Sequence, residues 1–193
     1  MVLAGGAARR MGGTDKPAVR VGGRRMRDRV LDAVSGASPR IVVGPAAGLP
    51  AGVLAVREDP PGGGPAAAAA AGLLLLGPGT TTVALLAADL PLLTAEAVHT
   101  LRRQLTASDV DGACYLDENG QRQVLCGVWR VESLRGAVSA LAAGRHGSLD
   151  GASMRALLAG LRVAELRWTG SGPAPWFDCD TDDDVRRAEE LAR

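Results

Sequence analysis

The sequence has few aromatic residues, almost no net charge, and only three cysteines and two histidines. Aromatic residues make up 3% of the chain, so the core must be built from alanine, valine and leucine. The 22 basic residues nearly balance the 21 acidic ones. This balance argues against a broad positive electrostatic field that would attract nucleic acid or a membrane surface. We therefore expect neither of these partners, and any basic site must be local.

The three cysteines, Cys114, Cys126 and Cys179, are widely spaced and form no C-x-x-C pair. This pattern argues against a disulfide framework or a zinc site and predicts buried thiols in a reducing compartment. The apolar runs are too short or too interrupted to span a membrane, and no signal-peptide pattern opens the chain. We expect a cytoplasmic protein with a single domain over residues 1–193.

The richest pattern lies in the first sixteen residues. An apolar run, Val2-Leu3-Ala4, leads into a loop with two Gly-Gly pairs, two adjacent arginines and a lysine. Glycines let main-chain N–H groups approach an anion, and Arg9, Arg10 and Lys16 would add charge-assisted hydrogen bonds. The pattern predicts a buried strand that ends in a phosphate-binding loop. The alternative is a glycine-rich surface turn with solvated arginines.

A second glycine-rich loop follows a predicted short buried strand over residues 53–56. It contains Asp59 and leads through Gly64 and Pro65 into a run of alanines. Proline suits the first turn of a helix, and alanine and leucine are strong helix formers, so the segment predicts strand, loop and helix. The alternative is a low-complexity connector.

Residues 81–88 form a continuous apolar run, as expected of a strand in the middle of a parallel sheet that is covered on both faces. The run ends in Asp89-Leu90-Pro91, and Thr94 is the predicted N-cap of a helix to about residue 105. Open α/β sheets bind ligands at the carboxyl ends of their strands, where Asp89 would suit Mg²⁺. The alternative is an aspartate that only satisfies loop amides.

The other elements are predicted from apolar periodicity and turn residues. A helix over 24–34 would leave its arginines solvated, and Thr181 with Asp184 would form the capping box of the last helix. The remaining predictions are a buried strand over 40–43, a hairpin of strands 111–115 and 123–129, helices over 132–143 and 153–161, and a strand over 163–168.

Three separated motifs resemble those of the MobA-like nucleotidyltransferases. They are Leu3-Ala4-Gly5-Gly6 with Arg10-Met11-Gly12-Gly13 and Asp15-Lys16, then Asp89-Leu90-Pro91, then Asp178-Cys179-Asp180-Thr181. The resemblance implies a three-layer α/β/α sandwich with a Rossmann-like, mostly parallel sheet of the nucleotide-diphospho-sugar-transferase type. It also implies a nucleotide-binding half of about residues 1–106 and an acceptor-binding half of about 107–193. The first strand is shorter than is usual in the family, so we expect the natural start to lie upstream of Met1.

The resemblance also implies the site and its chemistry. Arg10 and Lys16 would steady the β,γ-phosphates, and Asp89 with Asp180, or with Asp178, would hold Mg²⁺. The implied contacts to the rest of the nucleotide come from the residues Leu3, Ala4, Gly5, Gly6, Asp59, Gly64 and Pro65. The reaction would be in-line attack of an acceptor phosphate on the α-phosphorus of an NTP, with release of pyrophosphate.

By this resemblance the substrates are GTP and molybdenum-bound molybdopterin, and we expect a monomer or a weak homo-oligomer. One departure concerns the second loop, where the guanylyltransferase pattern Gly-Pro-Leu-Ala-Gly is replaced by Gly64-Pro65-Ala66-Ala67-Ala68. A cytidylyltransferase and a sugar- or polyol-phosphate nucleotidyltransferase therefore remain alternatives. So does a regulatory protein that binds a nucleotide without turnover.

Overall fold

The computed structural model describes residues 1–5 and 19–192. The strands are β1 (Val2–Leu3), β2 (Arg20–Val21), β3 (Arg24–Arg25), β4 (Arg40–Val43), β5 (Val53–Val56), β6 (Thr82–Ala87), β7 (Gly112–Leu116), β8 (Arg122–Arg130) and β9 (Val163–Leu166). The helices are α1 (Met26–Ala33), α2 (Pro65–Leu73), α3 (Ala95–Ala107), α4 (Val131–Ala143), α5 (Met154–Leu158) and α6 (Asp182–Leu191).

Seven strands form one sheet in the order β5-β4-β1-β6-β8-β7-β9, with β6 in the middle. Strand β8 pairs antiparallel with both β6 and β7, whereas the other neighbours in the sheet pair in parallel. The carboxyl ends of the other six strands therefore meet at one edge, together with the start of β8. We call this the carboxyl edge and the opposite one the amino edge. The expected mostly parallel, Rossmann-like sheet is confirmed.

Each face of the sheet carries its own apolar core. Helices α2, α4 and α5 cover one face, where Trp129 is the largest buried side chain. Helices α1 and α3 cover the other face around Tyr115 and Leu101. With so few aromatics, close packing depends on small residues. A Cβ at Gly112 would overlap the indole of Trp129, so this strand position accommodates the ring only as glycine.

A third, smaller cluster ties the last helix to the start of the chain. Strands β2 and β3 form a hairpin, and Val21 in it packs with Met26, Cys179 and Ala188. Cys179 lies inside the last acidic motif, Asp178-Cys179-Asp180-Thr181. Its packing therefore fixes this motif against the β2–β3 hairpin.

Several predicted elements are confirmed, and others need correction. Strand β4, the β7–β8 hairpin and the capping box of α6 are present as expected. The helix predicted from Arg24 begins instead at Met26, because the two arginines before it pair with β2. Strand β5 was expected to be buried, but it is an edge strand of the sheet, and Leu54 in it is 44% exposed.

The expectation that the arginines of the helix predicted over 24–34 are solvated was wrong for two of the four. Arg27 is only 4% exposed and donates to the carbonyl oxygens of Ala47 (3.1 Å) and Gly48 (2.9 Å). Arg29 is half-buried and donates through Nε to the carbonyl oxygen of Pro91 at 2.7 Å. Both arginines therefore hold loops through hydrogen bonds to main-chain carbonyl oxygens.

Helix α5 ends at Leu158 and strand β9 at Leu166, so both are shorter than expected. Over the part of the chain that the structure describes, no helix combines the length and apolar character needed to span a membrane.

Candidate active site

The first glycine loop and Asp89 follow two neighbouring strands, β1 and β6, at the carboxyl edge. Leu3 pairs with Ala87, and the carbonyl oxygen of Leu3 accepts a hydrogen bond from Ala88 N at 3.0 Å. Continuing this register places Gly5 level with Asp89. Adjacent strands are about 5 Å apart, so the main chain at Gly5 lies next to the main chain at Asp89.

Part of the predicted phosphate loop lies outside the residues that the structure describes. These positions are Gly6, Arg9, Arg10 and Lys16. Their roles stay predictions, and the geometry of the site is built from the residues on either side of them.

The segment before α6 lies against Asp89. Cys179 N donates to the carbonyl oxygen of Asp89 at 3.2 Å, which joins the two acidic motifs through the main chain. The capping box then fixes the segment, since Asp184 Oδ2 accepts from Asp180 N at 3.0 Å and from Thr181 N at 2.8 Å. Asp89 and Asp180 are half-buried and Asp178 is exposed. The structure thus brings together the motifs that were predicted to share a metal.

The second glycine loop lies at the end of β5 on the same edge. Asp59 is exposed there, and Pro65 is the first residue of α2, as expected. Gly64 has φ of 91°, a conformation that favours glycine. The loop is closed from the other half of the chain, because Gly151 N donates to the carbonyl oxygen of Gly63 at 2.9 Å.

Glu58 links the two glycine loops and was missed by the sequence reasoning. Its Oε1 accepts from Gly62 N at 3.1 Å, and the same oxygen is 3.7 Å from the position that a Cβ on Gly5 would take. The carboxylate therefore touches the beginning of the first loop while it holds the second. The available signal was an acidic residue at the end of a predicted strand, next to Asp59.

Arg29 was also missed as a site residue. Its hydrogen bond to Pro91 fixes the loop that follows Asp89, and it is placed there by α1, which lies far away in the sequence. The sequence carries no signal that separates this arginine from its neighbours Arg24 and Arg25.

The cysteines have the expected structural character. All three are buried thiols. Burial raises the pKa of Cys114 to about 11 and that of Cys126 to about 12, so neither forms a thiolate near neutral pH. His99 and His146 are exposed. The cysteines therefore offer no nucleophile to the predicted site, whose proposed chemistry rests on other residues.

The donor set around Asp89 fits a magnesium ion shared with a nucleotide. In residues 1–5 and 19–192 no group of three or more His, Cys, Asp or Glu side chains could hold a metal by itself. Mg²⁺ commonly takes only one or two carboxylates and completes its shell with phosphate oxygens and water. Two neighbouring acidic motifs beside a glycine loop suit this kind of site.

Comparison with known proteins identifies the family. The domain model of the MobA-like NTP transferases matches residues 1–165. The chain belongs to the MobA-like NTP transferase family. It is accordingly a nucleotidyltransferase, and the expected family and enzyme class are confirmed.

A curated relative agrees with this assignment, and solved structures share the fold. A molybdenum cofactor guanylyltransferase of Bradyrhizobium sp. is 31% identical over 204 aligned residues, which cover 100% of this chain and 92% of the relative. The crystal structure of molybdopterin-guanine dinucleotide biosynthesis protein A from Archaeoglobus fulgidus has a TM-score of 0.76 at 19% identity and covers 99% of this chain and 96% of its own. A 2-C-methyl-D-erythritol 4-phosphate cytidylyltransferase from Thermus thermophilus has a TM-score of 0.69 at 20% identity, with coverages of 99% and 97%. The two solved structures show the fold of this chain.

Proposed function

We propose that this nucleotidyltransferase transfers GMP from GTP to the phosphate of molybdenum-bound molybdopterin and releases pyrophosphate. The proposal is supported by the similarity to a guanylyltransferase over the whole chain. The observation that carries it is the meeting of three segments at the carboxyl edge. The carbonyl oxygen of Leu3 binds Ala88 N, and the carbonyl oxygen of Asp89 binds Cys179 N.

The nucleotide would lie along this edge. Main-chain groups of Leu3, Ala4, Gly5 and Gly6 would contact the nucleotide where β1 ends, and Arg10 and Lys16 would steady the leaving β,γ-phosphates. Asp59, Gly64 and Pro65 would lie beside the base and ribose, in a loop that Glu58 keeps in place. These contacts align the α-phosphate for in-line attack, which is the main demand of phosphoryl-group chemistry.

Asp89, with Asp180 or Asp178, would hold Mg²⁺. The bound ion would neutralise charge on the triphosphate and act as a Lewis acid. The hydrogen bonds from Cys179 N to the carbonyl oxygen of Asp89 and from Arg29 Nε to that of Pro91 fix the main chain at Asp89 and two residues beyond it. Residues of about 1–106 would thus serve the nucleotide, and residues of about 107–193 the acceptor.

Pyrophosphate release tests the proposal. The protein is incubated with Mg²⁺, one of the four NTPs, and either molybdenum-bound molybdopterin or a sugar or polyol phosphate. Turnover with GTP and the molybdopterin acceptor is expected. Turnover only with CTP would support a cytidylyltransferase, which the altered segment Ala66-Ala67-Ala68 leaves as the second candidate. Nucleotide binding without release under every pairing would contradict the assignment of a catalytic role.

The role of Lys16 can be tested separately, because it is the only lysine in the sequence. Amine acylation should modify this side chain, and GTP with Mg²⁺ should protect it. Protection is followed by mass spectrometry of the peptide that contains Lys16. Equal modification with and without GTP would contradict the proposed phosphate contact, and Lys16→Ala should lower turnover by at least about 100-fold.

A further inference from the structure

The β7–β8 hairpin reaches the carboxyl edge beside Asp89. Leu86 of β6 pairs with Cys126 of β8, and Leu116 pairs with Arg122 across the hairpin. The register of β8 shifts opposite the bond between Cys114 and Tyr115, so the level of Arg122 follows from β7. Cys114 and Leu85 both pair with Gly127, which places Leu116, and Arg122 opposite it, level with Ala87 at the end of β6. The start of β8 therefore lies beside the end of β6, two residues before Asp89, on the side away from the nucleotide loops.

A groove of about 450 Å³ opens next to this hairpin, between it, β9 and α5. We call it the hairpin groove. It is lined by Gly120, Gln121, Arg122, Val124, Arg155, Leu158, Ala159 and Glu165. Val124 and Leu158 belong to the apolar core below, so the groove has an apolar floor.

The rim of the hairpin groove is charged. Arg122 Nε lies 2.6 Å from Glu165 Oε1, and these side chains are 42% and 39% exposed. Arg155 is exposed on α5. An apolar floor with an arginine–carboxylate pair suits a flat heterocycle that offers both donors and acceptors, and a second arginine suits an anionic substituent.

Other cavities of similar size lie elsewhere. One is lined by Asp111, Ser133 and Leu157, and Asp111 immediately precedes β7 at the amino edge. Another is lined by Ser38 and Thr82, and Thr82 begins β6 at the same amino edge. These cavities are separated from Asp89 by the length of the sheet, whereas the hairpin groove is on its edge.

We infer that the hairpin groove binds the end of the acceptor that is remote from the reacting phosphate, a pterin-type heterocycle with an anionic group. The inference rests on the proposed function. Arg122 is on β8, next to β6, and Glu165 is on β9, three positions from β6, so these two residues start from points roughly 5 and 15 Å from the strand that carries Asp89. A phosphate-bearing pterin that is anchored at Arg122, Glu165 and Arg155 would thus direct its phosphate toward Asp89.

Steady-state kinetics of Arg122→Ala and Arg155→Ala test the inference. Each substitution should raise KM for the molybdopterin acceptor at least 10-fold and leave KM for GTP within 2-fold. Arg103→Ala, on the exposed surface of α3, is the matched control and should change neither constant. Unchanged KM for the acceptor in both groove variants of an active enzyme would overturn the inference and leave the proposed function intact.

The exchange variant R122E/E165R separates recognition from stability. It retains the ion pair across β8 and β9, so its Tm should stay close to that of the wild type, whereas KM for the acceptor should rise at least 10-fold. Recovery of the wild-type KM in this variant would overturn the inference, since only the ion pair would then matter.

Binding of molybdopterin by calorimetry, with guanosine 5′-(α,β-methylene)triphosphate to prevent transfer, tests the groove without turnover. We expect the wild type to bind molybdopterin and Arg122→Ala to bind it with a Kd at least 10-fold higher. If this result holds while no turnover occurs with GTP, the groove is supported and the proposed function fails. If the wild type turns over another acceptor and does not bind molybdopterin, the groove inference fails as well.

Discussion

The amino edge and the carboxyl edge of the sheet differ in how the residues that carry their contacts are held. At the amino edge, Arg130 donates to the carbonyl oxygens of Val110 (2.8 Å), Ser108 (3.0 Å) and Leu105 (3.2 Å). It thereby closes the end of α3, whose last carbonyl groups have no partner within the helix. Arg135 does the same for α2, with its strongest bond to the carbonyl oxygen of Leu76 at 2.9 Å.

At the carboxyl edge, several loops are joined through the main chain. Asp89 is held through its carbonyl oxygen by Cys179 N, and Gly63 is held in the same way by Gly151 N. A side-chain substitution at Asp89 leaves its main-chain bond in place. The comparison teaches that the amino-edge contacts depend on the arginine side chains that make them, whereas Asp89 is held by the bond from Cys179 N and by Arg29 beside it, neither of which involves the Asp89 carboxylate.

The largest expected effect is that of Asp89→Asn. The substitution removes the negative charge that would hold the metal but keeps the side-chain size and the main-chain hydrogen bond. We expect kcat to fall at least about 100-fold, with Tm within about 2 °C of the wild type. Pyrophosphate release and thermal unfolding measure the two effects. A large fall in Tm would break the comparison and make Asp89 a structural residue.

Gly112→Ala is expected to have the largest effect on stability. The added Cβ would overlap the indole of Trp129, a ring that is fully buried. We expect the free energy of unfolding to fall by about 1–3 kcal/mol. Gly77→Ala is the control, because its Cβ meets no atom of the described residues within 4 Å. Equal denaturation midpoints for the two variants would contradict the packing argument.

Glu58→Ala should have an intermediate effect, and this effect should be confined to the KM for the nucleotide. Loss of the bond to Gly62 N loosens the second glycine loop, so we expect KM for GTP to rise by about 10-fold and kcat to change little. Glu58→Gln keeps an acceptor oxygen and should lie between the wild type and the alanine variant. A fall in kcat with unchanged KM would show that Glu58 acts in the chemical step instead.

The smallest effect is expected at Asp111, on the amino edge. The hydrogen bond from Arg162 N (2.8 Å), followed by that from Ser133 Oγ (2.9 Å), lowers the pKa of this carboxyl below 3.8. A lowered folded-state pKa contributes stability above the unfolded value, and this contribution is lost as the pH falls below about 4.

Urea unfolding at pH 3 and pH 7 measures this contribution. At pH 7, Asp111→Asn should be less stable than the wild type by about 1 kcal/mol, and the difference should shrink at pH 3. A difference that stays constant over this range would show that the charge of Asp111 does not contribute.

Much of the fold follows from local patterns in the sequence. The apolar run before Asp89, the N-cap Thr94 and the capping box of Thr181 with Asp184 all act within a few residues, and the structure contains each of them. The predicted boundaries of elements are wrong where pairing with a strand elsewhere in the chain determines the structure. The two residues before Met26 have no strand signal of their own and become β3 only because β2 lies opposite.

The candidate site is only partly readable from the sequence. Asp89 and Asp180 carry motifs, and the structure brings the segments that contain them together. Glu58 and Arg29 carry none, because their positions depend on which strand ends and which helix begins at the carboxyl edge. Arg27 illustrates the same limit, since an arginine beside Asp28 in an arginine-rich segment gives no sign that it will be buried.

The reversed direction of β8 has a consequence for how this fold can be adapted. It brings a hairpin turn, Asp117 to Gly120, to the functional rim of the sheet, where the other strands contribute only their ends. Such a turn can be lengthened or exchanged without a new crossover, because both of its strands remain paired. Grafting hairpins from relatives with other acceptors onto this scaffold would therefore be a direct route to altered acceptor preference, with the nucleotide loops left as they are.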